Sequence, residues 1–359
     1  MSEEANLFAQ QEANRRRSTW LTIGFILFFA WVGFGGDLAF GLLTADGPPD
    51  AYHHVLPVIG IFTTLVAGGI CWYSWRFGAQ QVLWATGARE LVDPQTSEER
   101  QLVNVVEEMA IASGLPKPKV FIVPDDDPNA FATGRDAATA SIAVTAGLLR
   151  SLSRDELQGV IAHEMAHVRN LDVRLMTLLA AMVGAIALMS DGMGRMLRGT
   201  RMGGGGGGGS RGRGGGRGGN PLALVVLVLW LLTLVIAPIV SRILAMAVSR
   251  NREFLADASG AQFTRNPLAL ASALEKLDAA SAPTRAITRG AAHLCIVDPS
   301  PGLLAAREGV VADFLASHPP IRQRIIRLRG MGYQQAKQLD QATDPVASSP
   351  PSPAPARPA

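Results

Sequence analysis

Five consecutive residues carry the first chemical signal in this chain: His163-Glu164-Met165-Ala166-His167. In a helix each residue turns ~100° about the axis, so side chains four positions apart stand on nearly the same face. His163 and His167 can therefore turn one imidazole each toward the same ion, with Glu164 beside the first. Zinc enzymes use such a layout: two nitrogens and a third protein ligand hold the metal, and one position stays open for water. Water bound there is acidified, and the neighbouring carboxylate takes its proton. The competing reading is chance register on a core helix. With only 6 His in 359 residues, that coincidence is expected on the order of once in a few hundred chains for this pattern.

The helix that must carry these residues announces itself. Ser153 followed by Glu156 forms a capping-box pattern, and Leu157, Val160, Ile161 and Ala162 recur at helical spacing. Upstream, residues 91–149 read as an α/β segment. Glu98 to Ser113 has helical periodicity through Leu102, Val105, Val106, Met109 and Ala110, and Pro116 and Pro118 end it. Lys119 to Val123 is a short strand, followed by a turn at Asp125 to Pro128. The acidic triplet lacks the spaced oxygens of a calcium loop and reads as solvated surface. Asn129 to Gly134 and Ser141 to Thr145 read as two strands around a turn at Gly134-Arg135-Asp136. An exposed strand edge beside a protease site can pair with an extended substrate; an ordinary sheet strand is the other reading. Pro267 to Leu277 is a helix, and His293 reads as a core residue. Ile321 to Leu328 is a basic helix bearing Arg322, Arg324 and Arg327. We read it as a solvated face, with an anionic membrane surface as the alternative.

Composition places the chain near a bilayer. It is 48% hydrophobic and only 18% charged, with a mean hydropathy of +0.20, greasier than an ordinary soluble enzyme. Trp20 to Gly35 and Val55 to Trp75 are apolar runs close to the ~20 residues that cross a bilayer. No small-residue cleavage site follows the first cleanly, which disfavours a signal peptide. The loop between them holds Asp37, Asp46 and Asp50 and no Lys or Arg, whereas Arg15 to Arg17 and Arg76 flank the outer ends. The positive-inside rule then puts both outer ends in the cytoplasm. Two further apolar runs, Leu175 to Met189 and Pro221 to Val240, enclose a Gly/Arg-rich tether at 203–219. If both cross, the tether's arginines lie outside, against that rule; if not, the pair is a re-entrant hairpin. Four spans are the working expectation. The tether is short and lacks the aromatics of a single-strand binder, so no nucleic-acid partner is expected. The net charge of +3 comes from arginine clusters, and Cys71 and Cys295 form neither CxxC nor a disulfide framework.

A third metal ligand must come from elsewhere. In Ser249-Arg250-Asn251-Arg252-Glu253-Phe254-Leu255-Ala256-Asp257, Glu253 could swing back to the ion, or it could be a surface charge paired with Arg250 or Arg252. Asp257, one turn on, is placed to hydrogen-bond a ligand histidine.

These two stretches together resemble the HtpX-type membrane zinc proteases, gluzincins related to the CaaX prenyl proteases. Further matches are Asn129 to Gly134, Ala143-Val144-Thr145 with Gly147-Leu148-Leu149, and Ser317-His318-Pro319-Pro320 with Arg324-Ile325. The resemblance runs from about Trp20 to Arg329. It implies a mainly α fold with a small β-sheet, a gluzincin-type zinc protease domain combined with transmembrane helices. It implies that His163, His167 and Glu253 bind one Zn2+, that Glu164 is the general base, and that Asp257 orients a ligand. Asn129, Ala130, Phe131, Ala132, Ala143, Val144 and Thr145 would border the substrate groove. His318 would have a transition-state or a structural role. The implied division is a flexible N-terminus at 1–18, a transmembrane hairpin at 19–76, and protease parts at 77–174 and 242–335. A second hydrophobic hairpin lies at 175–241 and a disordered Pro-rich tail at 336–359. The tether and tail depart from the usual pattern. The implied activity is endopeptidase quality control of misfolded or damaged membrane proteins, a stress response at a bacterial inner membrane with the active site facing the cytoplasm. A dedicated CaaX-type processing protease and a non-catalytic zinc-stabilised scaffold are the alternatives. Glu164 argues against the scaffold, because structural zinc takes four protein ligands and needs no base.

Overall fold

The computed structural model describes residues 3–44, 56–179, 224–225, 228–230, 232, 250–280, 294–296 and 319–343. The tether, most of the second apolar hairpin, His293, His318 and the last sixteen residues, 344–359, lie outside the described residues.

Two apolar runs become two long helices, α1 (Glu3–Thr44) and α2 (Val58–Ala85). At ~1.5 Å per residue, helices of 42 and 28 residues are about 63 and 42 Å long, against about 30 Å of bilayer hydrocarbon. Both are long and apolar enough to cross a membrane over Glu12–Ala39 and Val58–Ala85. They meet as a hairpin. Asp37, buried late in α1, accepts hydrogen bonds from Ile59 N (3.3 Å) and Gly60 N (2.6 Å) at the start of α2, where a helix has free donors. Gly33 lets the pair close up, since a Cβ there would lie 1.9 Å from Thr63 Oγ1. Trp230, in the fourth apolar run, donates from Nε1 to the Val32 carbonyl at 2.7 Å and packs on Gly35 and Gly36. The outer faces keep Leu27, Trp31, Phe62, Leu65 and Trp72 exposed.

One expectation needs correcting. The stretch up to residue 18, expected to be a flexible N-terminus, is helical from Glu3. Its polar composition hid a long-range anchor. Asn14 is buried and its Nδ2 donates to the Asn170 carbonyl (2.9 Å) and to Asp172 Oδ1 (2.7 Å).

The rest of the described chain builds an α/β body. Strands β1 (Arg89–Glu90), β2 (Lys119–Val123), β3 (Ala130–Thr133) and β4 (Ser141–Thr145) form a mixed sheet in the order β1-β2-β4-β3. β2 and β4 run parallel, and the outer pairs are antiparallel. Helix α3 (Ser97–Ser113) starts at a Thr96/Glu99 capping box and ends at Gly114 in the left-handed conformation (φ 70°), which glycine adopts without a Cβ penalty. A short helix, α4 (Ala146–Ser151), leads into α5 (Arg154–Arg169), which carries the His-Glu-x-x-His residues. Then come α6 (Arg250–Thr264), α7 (Pro267–Ala279) and α8 (Ile321–Thr343). The last runs well beyond the Leu328 end read from periodicity and takes in 336–343, which were expected to belong to a disordered tail. Leu102, Val105 and Val106 of α3, Val160 and Ile161 of α5, and Leu270 and Leu274 of α7 share one buried core with the sheet.

The start of α5 is as the capping pattern predicts: Glu156 Oε2 accepts from Ser153 N at 2.7 Å, and Ser153 Oγ accepts from Glu156 N. The same carboxylate reaches α7, accepting from Lys276 Nζ (2.6 Å) and Ser272 Oγ (2.7 Å). Burial pushes the Glu156 carboxyl up, but its bonds to Lys276, Ser272 and Ser153 outweigh that and hold it down at about 2. A carboxyl depressed on folding stabilises fully above its unfolded value of 4.5 and loses that contribution as pH falls toward about 2. Thermal unfolding of the detergent-solubilised protein should therefore show a shallower acid limb below pH 4.5 in Glu156→Gln than in the wild type. Superimposable acid limbs would remove Glu156 as a stabilising link.

Candidate metal centre

Helix α5 must deliver polar ligands from inside a core. His163 is fully buried, and Glu164 nearly so. What makes room for a partner is Gly260 on α6: a Cβ there would meet His163 N at 3.1 Å and Cα at 3.2 Å. The backbones of α5 and α6 thus touch at the ligand itself, and Glu253 and Asp257, on the same helix, face the imidazoles.

The ligand atoms converge. His163 Nε2 and His167 Nε2 are 3.2 Å apart. Glu253 Oε2 is 3.5 Å from His163 Nε2, and Oε1 is 3.6 Å from His167 Nε2. Zinc–nitrogen bonds of about 2.0–2.1 Å in tetrahedral geometry place ligand atoms roughly 3.3 Å apart. The observed triangle has that size, and all three groups lie within 4.8 Å of one another. Two imidazoles and one carboxylate would supply the three protein ligands that catalytic zinc sites use.

Each imidazole is held from behind. His163 Nδ1 is 3.0 Å from Asp257 Oδ1, and His167 Nδ1 is 3.1 Å from Asp172 Oδ2. An Nδ1–H donated to a carboxylate leaves Nε2 as the free lone pair and fixes ring orientation. Asp172 arrives through Leu171, whose φ of 58° turns the chain sharply after α5. Residues 172–179 are again helical.

Arg324 corrects another expectation. Sequence patterning made it one charge on a solvated basic helix, yet it is fully buried. Its Nε and one terminal nitrogen grip Asp257 at 2.8 and 2.7 Å, and the other donates to the Ile296 carbonyl at 3.0 Å. That same nitrogen is 3.4 Å from Glu253 Oε2. Burial raises the Asp257 carboxyl, but Arg324 and His163 overcome it and hold it at about 2. Burial and Arg324 oppose a proton on His163; Asp257 and Glu253 win, raising it to about 9. Metal binding at this triangle therefore displaces a proton.

Glu164 stands apart. Both carboxylate oxygens are buried without a side-chain hydrogen-bond partner, and only the Ala132 backbone lies near enough to act on them as a donor. Burial, with a smaller push from Glu253, raises its pKa against the two imidazoles. Such an orphaned group is costly in a core and marks a position that awaits a partner. It opens on a cleft shared with His167 and Glu253 and walled by Ala132, Met176 and Leu294.

The expected groove residues separate. β3 is an edge strand, and Ala132 reaches the cleft. β4 is paired on both sides, so Ala143, Val144 and Thr145 are buried in the sheet and cannot add a substrate strand. Thr145 is a structural joint: its Oγ1 accepts from Asn129 N (2.9 Å) and Leu148 N (3.2 Å). Asn129, Ala130 and Phe131 are also buried, and Phe131 bridges Cys295 while Ile296 N donates to the Ala130 carbonyl. His318 lies outside the described residues. Asp172, Asn14 and the role of Arg324 escaped sequence reading. The one local hint was Asp172, five residues after His167.

The sequence pattern of peptidase family M48 matches residues 96–332. The chain belongs to peptidase family M48. Among its M48 relatives is a protease HtpX homolog of Streptococcus gordonii, 36% identical over 326 residues, 90% of this chain and 100% of the relative. A protease HtpX homolog of Thermoanaerobacter pseudethanolicus is 41% identical over 267 residues, 74% of this chain and 84% of the relative. That of Caldanaerobacter subterraneus is 45% identical over 230 residues, 64% and 71% of the two chains. Among solved structures, Ste24p of S. mikatae aligns with a TM-score of 0.42 at 19% identity, covering 86% of this chain and 66% of that one. This M48 chain is thus a metallopeptidase of the HtpX type with a His-His-Glu metal site.

Loss of the Arg324 clamp should loosen that M48 site. Partners behind metal ligands are typically worth roughly 10–100-fold in metal affinity. Arg324→Leu should lose zinc to a competing chelator at correspondingly lower concentration, while Arg322→Leu, on the exposed face, should match wild type. Equal zinc retention in both variants would dismiss the clamp.

Proposed function

We propose that this chain is a membrane zinc endopeptidase that binds one zinc ion through His163, His167 and Glu253. The observation that carries the reading is the buried Glu164 carboxylate, without a side-chain hydrogen-bond partner, sharing one cleft with two of the three converging ligands. Zinc held by such a donor set lowers the pKa of water and polarises a carbonyl oxygen. Glu164 then has the two tasks of a general acid–base. Its carboxylate takes a proton from the attacking water, and its carboxyl returns that proton to the departing amine nitrogen. A raised pKa suits the second task, because a weaker acid holds the proton until the C–N bond breaks. Asp257 and Asp172 keep both imidazoles aimed through Nε2, and Arg324 keeps Asp257 in place. Ala132, beyond the Ala130–Phe131 part of β3 that residues 295–296 already pair, sits beside the reacting groups, where an extended substrate backbone can be held.

We further infer that the site faces the cytoplasm. Asn14 ties α1 directly to Asp172, so the metal centre sits at the end of the hairpin that bears Arg15, Arg16, Arg17 and, on α2, Arg76. Positive flanks stay on the cytoplasmic side. A bilayer-embedded enzyme with an open cleft fits misfolded or damaged membrane proteins as substrates, in the manner of proteolytic quality control.

Glu164→Gln should retain zinc yet lower cleavage of an unfolded membrane-protein substrate by roughly 10²–10⁴-fold, whereas Glu253→Ala should lose both. Unchanged turnover in Glu164→Gln would end the protease reading. For orientation, Lys117→Cys places a thiol at an exposed position, while native Cys71 and Cys295 are buried. In intact cells a membrane-impermeant maleimide should leave it unlabelled until the membrane is opened; labelling of intact cells would reverse the topology.

A further inference from the structure

A second concavity lies away from the metal centre. It forms where the end of α2 meets the turn after β3 and the helical residues 174–178. Three guanidinium groups line it: Arg76, Arg135 and Arg174. Arg174 Nε is buried with no hydrogen-bond partner. Arg135 lies over the Trp75 ring, 4.8 Å from its centroid, and its Nε is 3.6 Å from Asp136 Oδ2. That carboxylate is already engaged, accepting from Thr139 N (2.9 Å) and Oγ1 (2.8 Å). Among the described residues, neither Arg76 nor Arg174 has a carboxylate within salt-bridge distance. Burial, then the charges of Arg15 and Arg135, weaken the hold of Arg174 on its proton. Like charges gathered in a concavity, with one buried donor unspent, call for an anion.

The position of the cavity says which anion. Trp72, Tyr73 and Trp75 are exposed on α2 just before Arg76, the arrangement of an interfacial aromatic belt. An α2 of about 42 Å exceeds a hydrocarbon core of about 30 Å, so its Arg76 end emerges at headgroup depth. The apolar surface above the cavity, with Leu65 and Trp72 exposed, can carry acyl chains. The cytoplasmic leaflet is the anionic one. We propose that this cavity binds the phosphate headgroup of an anionic phospholipid of that leaflet.

The site is wired to the metal centre. Thr177, in the cavity wall, has its Oγ1 3.0 Å from Thr133 Oγ1 and accepts from Gly134 N at 3.2 Å. It thereby ties the end of β3, whose Ala132 lines the active cleft, to the helical stretch that begins with Asp172, the support of His167. A headgroup bridging Arg135 and Arg174 clamps these two walls together. Bound anionic lipid thus acts as a positioning ligand and raises peptidase activity.

The inference rests on α1 and α2 being membrane spans, but its primary readout is lipid binding and needs no turnover. Full-length, zinc-loaded protein is placed in phosphatidylcholine nanodiscs with increasing phosphatidylglycerol, and bound lipid is counted by native mass spectrometry. Wild type should retain phosphatidylglycerol selectively. Arg135→Gln combined with Arg174→Gln should bind it about tenfold or more weakly, the loss of two charge-assisted contacts. Arg76→Gln alters only an exposed side chain and keeps the test valid if the double variant misfolds; it should weaken retention in the same direction. Arg89→Gln, elsewhere on the surface, should not. Equal retention by Arg76→Gln and wild type overturns the proposal. So does full displacement of the lipid by inorganic phosphate, which would make the cavity a soluble-phosphate site. Activity that rises with phosphatidylglycerol in wild type but not in Arg76→Gln supports the coupling to β3; equal stimulation of both overturns it.

Discussion

The described part of the protein is organised around one difficulty, the burial of five ionisable groups at a single point. His163, Glu164, Glu253, Asp257 and Arg324 are all nearly or wholly withdrawn from water. Charges so placed are expensive unless paired and hydrogen-bonded. Arg324 meets most of that cost, gripping Asp257 through two nitrogens and Ile296 through a third. Removing it would strand a carboxylate and release the imidazole that the carboxylate aims. The guanidinium reaches the ligands from α8, over 150 residues along the chain from His163, so the site is complete only with α8 packed in place.

The exception within that cluster is informative. His163, Glu253, Asp257 and Arg324 each lie against an oppositely charged side chain, whereas neither oxygen of Glu164 has a side-chain hydrogen-bond partner. A fold that satisfies Asp257 so fully leaves Glu164 bare at a cleft beside the ligands. Function and stability pull in opposite directions here, and burial resolves the conflict by raising its proton affinity, which is what a proton carrier near neutral pH requires.

The membrane hairpin is part of the same network. Asn14 reaches from α1 to Asp172, and α2 shares a basic cavity with the residues that steady β3 and the stretch after Asp172. The spans therefore do more than moor a soluble peptidase. The ends that bear Asn14 and Arg76 serve as struts for the second ligand and for the edge strand.

Much of this was legible in the residues alone. The His-Glu-x-x-His spacing depends on helical geometry, and the Ser153/Glu156 cap, the strand at Lys119–Val123 and the two long apolar runs depend on nearest neighbours. Local patterns survive translation into structure because their causes are local. Charge pattern misled where the partner was distant. Arg324 looks solvated among Arg322 and Arg327, and Asn14 looks like part of a frayed terminus, because nothing nearby reveals a buried carboxylate far along the chain. The repeat of small and β-branched residues at Ala143–Thr145 could not tell an interior strand from an edge, since that depends on sheet order, which hydrogen bonds among separated segments decide. Residue types and short spacings determined the chemistry and the elements that bear it. Only tertiary packing decided which charges are buried, which strand is open and where the third ligand stands, because desolvation and long-range pairing are properties of the folded whole.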